Sequence, residues 1–244
     1  MKRTRNGILI PDVPIMAGGN LPNTVKGVSA GGTDMLVDMG LPSGTKWAKN
    51  NIDAQNNGFA ASPFSLQQSY FSWGNIQPHN NDSDNNVNYD FTAATYQSTE
   101  GASLAQNIPP TSEYDAARAI LGAKWRLPTL AEARELFENI DYIDANGDIV
   151  TEDLTDKRVI VNDVQGLFIR SRINGNTLFF TCAGRAQGGK VNYNGEYGYY
   201  LTSEYVSTEL FWDINIGSGP NFRFYNAKRH EGFCIKPVYN DNTD

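Results

Sequence analysis

Two histidines and two cysteines are the side chains of this sequence best suited to acid-base or nucleophilic chemistry near neutral pH. His79 lies in a polar stretch and His230 in the charged run Lys228-Arg229-His230-Glu231. A Ser/His/Asp or Cys/His arrangement needs a base held beside a nucleophile, and neither histidine is flanked by a nucleophile motif. Both are therefore read as solvent-exposed surface groups, and no enzyme activity is expected. Cys182 and Cys234 fall in separate apolar, strand-like runs. Two thiols are too few for a disulfide scaffold or a thiolate metal cage, and buried free cysteines are expected, with a bridge between them left open.

Oxygen-rich segments raise the question of calcium. Asp144-Ala145-Asn146-Gly147-Asp148 carries side-chain oxygens at alternate positions, like the first half of an EF-hand loop, but lacks the following Gly and the Glu at the twelfth place. It reads as an Asn-Gly hairpin turn, and Asn80-Asn81-Asp82-Ser83-Asp84-Asn85-Asn86 reads as plain surface, so neither a metal nor a cofactor is expected. What remains is an aromatic and amide cluster in the C-terminal third: Asn192, Tyr193, Asn194, Tyr197, Asn215, Asn221, Phe222, Tyr225 and Asn226. Tyr with Asn is the composition of adaptable binding surfaces, so these are the candidate ligand contacts. The alternative is that half of them are strand residues packed in the core.

The elements that must position these groups follow from composition and pattern. Among 244 residues, 40% hydrophobic and 11% aromatic content with 23 Gly points to many short strands, tight turns and long loops. The expected class is β-rich α+β. A net charge of −7 argues against nucleic acid, and no apolar run approaches the roughly 18 residues of a membrane span. Lys2, Arg3, Arg5 and Lys26 against Asp12 make the first 33 residues +3 and leave −10 for the rest. In that leading segment Pro11, Pro14 and Pro22 break every apolar run, so no cleavable signal core is read there and the chain is expected to be made and folded in a cytoplasm. Residues 1–33 read as an extended arm whose Ile8, Leu9, Ile10, Val13, Ile15 and Met16 would lie along a partner's groove or sheet edge, or else as a disordered leader.

One domain, residues 34–244, is expected after the arm. Met35 to Leu41 and Thr45 to Ala48 form an opening hairpin, and residues 75–110, rich in Asn, Asp and Ser, form a long surface loop. Two helices follow: Ser112 to Leu121, stopped by Gly122, and one capped by the box Thr129-Leu130-Ala131-Glu132 and running to about Asn139. Beyond residue 140 hairpins are expected through Asn146-Gly147 and Asn174-Gly175, with tail strands from Phe211, Phe222 and Phe233. Trp47, Trp73 and Trp125 each sit in a short apolar motif beside a turn and are read as core anchors.

These pieces resemble a known family. Val37-Asp38-Met39-Gly40-Leu41-Pro42-Ser43-Gly44-Thr45-Lys46-Trp47-Ala48, Tyr70-Phe71-Ser72-Trp73-Gly74, Tyr114-Asp115-Ala116-Ala117-Arg118, Gly122-Ala123-Lys124-Trp125-Arg126-Leu127-Pro128-Thr129 with Glu132, Ala183-Gly184-Arg185, Gly198-Tyr199-Tyr200 and the closing Gly232-Phe233-Cys234-Ile235-Lys236-Pro237-Val238 resemble the Fibrobacter succinogenes major paralogous domain, common in Bacteroidetes and their phages. The resemblance spans roughly residues 35–239. It departs at Thr181-Cys182 and at Leu201-Thr202-Ser203, where the family tends to have Trp-Ser-Ser. It implies an α+β, C-type-lectin-like domain with two helices and several short antiparallel hairpins. The function expected is a non-enzymatic virion surface protein, a head fibre or capsid-decorating protein, anchored by its arm to other virion subunits. A homo-oligomer, a trimer as is usual for fibres, and a host-surface glycan ligand belong to that expectation. The rivals are a bacterial surface or secreted glycan-binding module and a phage tail receptor-binding protein.

Overall fold

A computed structural model of the chain describes residues 33–56, 58–150, 156–217 and 222–239, with the backbone of Thr4–Arg5 and Ile8–Leu9. Strands take 43% of the described residues and helices 13%. The expected α+β, C-type-lectin-like layout with two helices is thus not the one adopted: the fold is mostly β, in several sheets. Among the described residues there are three α-helices, α1 (Ala93–Gln97), α2 (Ala116–Leu121) and α3 (Leu130–Glu138), of five, six and nine residues. Helices this short cap and buttress sheets but cannot form a layer of their own. Of the arm, Ile8–Leu9 pairs antiparallel with Thr4–Arg5, while Ile10, Val13, Ile15 and Met16 lie outside the described residues.

Two expectations fail for local reasons. The polar stretch 75–110 is not one loop: Asn86–Phe91 is a strand in which Val87 and Phe91 are buried and Asn88 and Asp90 exposed, a period of two hidden by the surrounding Asn and Asp. Helix α2 begins after Asp115, not at Ser112, because the Asp115 carboxylate caps the Arg118 N–H at 3.1 Å and also accepts Leu127 N–H at 2.9 Å. Burial pushes that carboxyl up to about 6. Helix α3 forms as its capping box dictates, with Thr129 and Glu132 bonded reciprocally. Glu132 also receives Arg126 and, at 2.7 Å, the Thr45 hydroxyl. Burial alone would raise its carboxyl, but the hydrogen bonds and charge of Arg126 outweigh it and hold it below the usual range.

The opening hairpin, Leu36–Asp38 with Lys46–Ala48, takes the last strand Val238–Tyr239 onto its free side, and that strand pairs in turn with Trp125–Arg126. A second sheet is centred on Val164–Ser171, flanked by Ile140–Tyr142, Val159–Val161 and Thr177–Thr181. A third has five strands in the order Phe222–Lys228, Leu210–Ile216, Gly198–Tyr205, Ala183–Asn194, Asn86–Phe91. One core packs Trp47 edge-on to Phe180 at 5.9 Å with Tyr70, Leu136 and Ile214; a second gathers Trp73, Phe211 and Phe233. Trp47 and Trp73 have no exposed surface and Trp125 is 5% exposed, which makes all three the core anchors expected.

A buried arginine ties the second core to the segments around it. Arg229 is 1% exposed, and its guanidinium donates to the carbonyls of Leu104 at 2.9 Å, Thr208 at 3.2 Å and Gly101 at 2.5 Å. It also lies over the Trp73 ring at 4.3 Å and near those of Tyr96 and Tyr205. Replacing it with Ala strands several buried acceptors at once, so urea denaturation of Arg229→Ala should show a loss of about 3–5 kcal/mol. Arg229→Lys, which cannot fork among the same carbonyls, should lose most of that too. A variant within about 0.5 kcal/mol of the parent would contradict this role.

Candidate functional site

Register divides the five-stranded sheet into two unlike faces. Directly paired residues share a face, so Tyr200, Ile214, Ile216, Phe222 and Phe224 point into the first core, and Phe222 stacks on Phe137 at 3.5 Å and 16°. Phe222 is therefore a packing residue and not the ligand contact expected. The opposite face carries two cross-strand rows, Tyr199–Asn215–Arg223 and Leu201–Asp213–Tyr225. Arg223 donates to the Tyr225 hydroxyl at 2.7 Å, and Tyr225 is 45% exposed.

The turn leading into Gly198–Tyr205 adds two more phenols to this face. Tyr193 and Tyr197 meet edge-on at 5.3 Å, and Tyr199 lies 6.4 Å and 6.3 Å from them. The turn folds back onto its own strand, with Gly195 N–H on the Cys182 carbonyl and Gly184 N–H on that of Tyr197, both at 2.7 Å. Gly184 permits this approach: its φ of +67° lies in the left-handed region, and a Cβ there would meet the Asn192 carbonyl oxygen at 2.3 Å. Tyr193 itself holds φ at 61°, a conformation that costs an L-residue roughly 1–2 kcal/mol. Arg158 clamps the turn from outside, chelating Asp156, donating to the Glu196 carbonyl and lying 5.3 Å over Tyr197.

Beneath the phenols sits a charged group whose members are not among the site residues read from the sequence. Arg185 lies 5.2 Å over Tyr199 and pairs with Glu231 at 2.9 Å, and both flank Asp213. Asp213 is 1% exposed, and its Oδ1 has no hydrogen-bond partner. Burial, only partly opposed by the Tyr225 backbone amide and Arg185, pushes its carboxyl up to about 7. Burial likewise raises Tyr199, so the phenol is neutral at physiological pH and can both donate and accept. The one signal in the sequence is the alternation Phe211-Trp212-Asp213-Ile214-Asn215, which sets Asp213 on the same face as Asn215.

The candidates thus divide. Tyr193, Tyr197, Asn215 and Tyr225 come together with Tyr199, Arg185 and Arg223. Asn192 is half-buried beside them, Asn226 falls on the other face of its strand, and Asn194 is turned away, bonded to Asn85 at 2.5 Å. Asn221 lies outside the described residues. Neither histidine is the exposed group expected: His79 is half-buried and stacked on Tyr89 at 3.8 Å, His230 is half-buried, and burial lowers both. Cys182 and Cys234 are buried and unpaired, and burial pushes the Cys182 thiol up to about 12, far from a reactive thiolate. Asp144 closes the Asn-Gly turn by accepting the N–H groups of Asn146 and Asp148, each at 2.9 Å. Among the described residues no three His, Cys, Asp or Glu side chains gather as metal ligands. Comparison with family models, curated proteins and solved structures yields no match for this chain.

A raised carboxyl has a definite sign. The folded state keeps the Asp213 proton that the unfolded chain gives up near its ordinary value of 3.8. The Asp213 contribution to stability is therefore full below that value and falls as pH rises toward about 7. Thermal or urea unfolding of parent and Asp213→Asn between about pH 4.5 and 7 should show the parent losing ground to the variant, by on the order of 1.4 kcal/mol for each pH unit crossed. A stability difference that stays constant across that range would sink this assignment.

Proposed function

We propose that this chain is a non-enzymatic display protein whose ligand surface is the phenol, amide and guanidinium face built on Gly198–Tyr205, Leu210–Ile216 and Phe222–Lys228. One observation carries the reading: Tyr193 holds an unfavourable backbone conformation that places its ring, 47% exposed, beside Tyr197 and Tyr199. Strain kept at an exposed aromatic residue accords with a surface maintained for contact, because packing alone would favour Gly there. Tyrosines present large, rigid, amphipathic area at low entropic cost, and neighbouring Arg and Asn side chains supply directional hydrogen bonds.

As its setting we propose the exterior of a bacteriophage particle, in a head fibre or capsid-decorating protein, with residues 1–33 as the anchoring segment and a host-surface glycan as ligand. The resemblance to the Fibrobacter succinogenes major paralogous domain and the apolar, Pro-broken sequence of that segment support this setting. Among the described residues no helix is long and apolar enough to cross a membrane.

Two substitutions test the surface. Tyr193→Gly relieves the backbone conformation and removes the ring, so it should keep or raise the melting temperature while weakening attachment of the purified protein to host cells. Tyr197→Ala should weaken attachment by roughly tenfold or more, the scale of a buried aromatic contact. Attachment unchanged in both variants, measured with labelled protein on intact host cells, would overturn the assignment of this face.

A further inference from the structure

A separate cleft of 530 Å³ opens between the segment after Trp73, the strand Asn86–Phe91, α1 with the turn that follows it, and the approach to α2. That volume falls in the range of about 300–1,000 Å³ typical of small-molecule sites. Its back wall is aromatic and two rings deep: His79 stacks on Tyr89 at 3.8 Å and 18°, both meet Phe91 edge-on, and Tyr114 stands within the lining. The floor is set by backbone, since a Cβ on Gly101 would meet the Gly74 carbonyl oxygen at 2.6 Å.

The polar groups around the wall are of complementary kinds. The Glu100 and Glu113 side chains are exposed acceptors, and neither forms an ion pair among the described residues. Asn75 uses its carbonyl on the Gln77 N–H at 3.1 Å, which leaves its NH2 to donate. Ser98 and Thr99 spend their protons on the carbonyls of Thr95 and Tyr96, leaving their oxygens to accept. No Lys or Arg is among the described lining residues, so an anionic ligand would meet no counter-charge. A rigid aromatic wall for a C–H face, with acceptors and donors at its edge, suits a ring bearing many hydroxyls, each of which donates and accepts.

We infer that this cleft is a binding site for a neutral saccharide unit, built on Tyr89 and His79 and closed by Glu100, Glu113 and Asn75. It deepens the display reading, on which it rests for its biological setting, by giving the chain a second and separate contact with host-surface glycan. Two weak sites on one chain add to one another when both can engage a single polymer.

The test is titration of the full-length chain with maltose, cellobiose and chitobiose, followed by calorimetry or amide chemical shifts. At least one should bind with a Kd on the order of millimolar. Tyr89→Ala and, at an exposed position where folding is not at stake, Glu113→Gln should each weaken it at least about fivefold, while Ile160→Ser, at an exposed residue outside both the cleft and the tyrosine face, should leave it unchanged. No binding by any of the three sugars up to about 10 mM, binding indifferent to both cleft variants, or binding of spermidine in place of sugar would each overturn the inference. Sugar binding abolished by Tyr193→Gly alone would also overturn it while leaving the display reading intact.

Discussion

The Arg229 guanidinium is met inside the protein by carbonyl oxygens and ring faces, and the arrangement of the surrounding segments depends on satisfying it. A buried charge costs several kcal/mol unless its donors are matched, so the chain must bring Gly101, Leu104 and Thr208 to one point. Those residues come from the end of the 93–104 helical region and from the turn between Gly198–Tyr205 and Leu210–Ile216. The Trp73 ring lies under the same guanidinium. One side chain thereby fixes the floor of the His79 cleft, through Gly101, and the turn that joins two strands of the tyrosine-bearing sheet, through Thr208.

The rest of the site follows from strand register. Once Phe211 and Ala227 face the second core, pairing obliges Asp213, Asn215, Tyr225 and Arg223 to share their side of the sheet. A buried carboxyl under that face is tolerated because burial favours its neutral form and because Arg185 and the Tyr225 amide lie close. Lys236 shows the same physics for a base. It is 1% exposed, donates to the Lys49 carbonyl at 3.0 Å, and burial lowers its ammonium to about 7. The fold thus holds an acid and a base whose burial draws both toward neutrality, while presenting phenols to solvent.

Much of this is legible in the sequence where local chemistry decides. The Thr129–Glu132 capping box, the Asn-Gly turns and the opening hairpin depend on residues close in the chain, and Trp47, Trp73 and Trp125 read as core residues from their short apolar motifs even though their packing partners, Phe180, Phe211 and Tyr239 among them, come from distant segments. What escapes depends on pairing between distant segments. The strand Asn86–Phe91 is masked by its polar neighbours, and the balance of strand over helix, which removes the C-type-lectin-like layout, is not visible from helix signals alone. In the candidate site, Tyr and Asn composition points to the strands that carry this face, yet only register separates Asn215 and Tyr225 from Phe222, which stacks on Phe137. Arg185 falls in one stretch of the family resemblance, but Asp213 and Glu231 carry no motif, and only the folded sheet brings the three together.

If the tyrosine face looks outward from a particle and is kept free for a ligand, its phenols must be open to solvent in the assembled virion. Hydroxyl-radical footprinting of purified virions measures this directly, because oxidation follows solvent access residue by residue. Rapid modification of Tyr193 and Tyr225 in the intact particle is expected, with Trp47 and Trp73 protected. Protection of Tyr193 and Tyr225 equal to that of the core tryptophans would show the face packed against other subunits, and absence of the chain from the particle would contradict the display role outright.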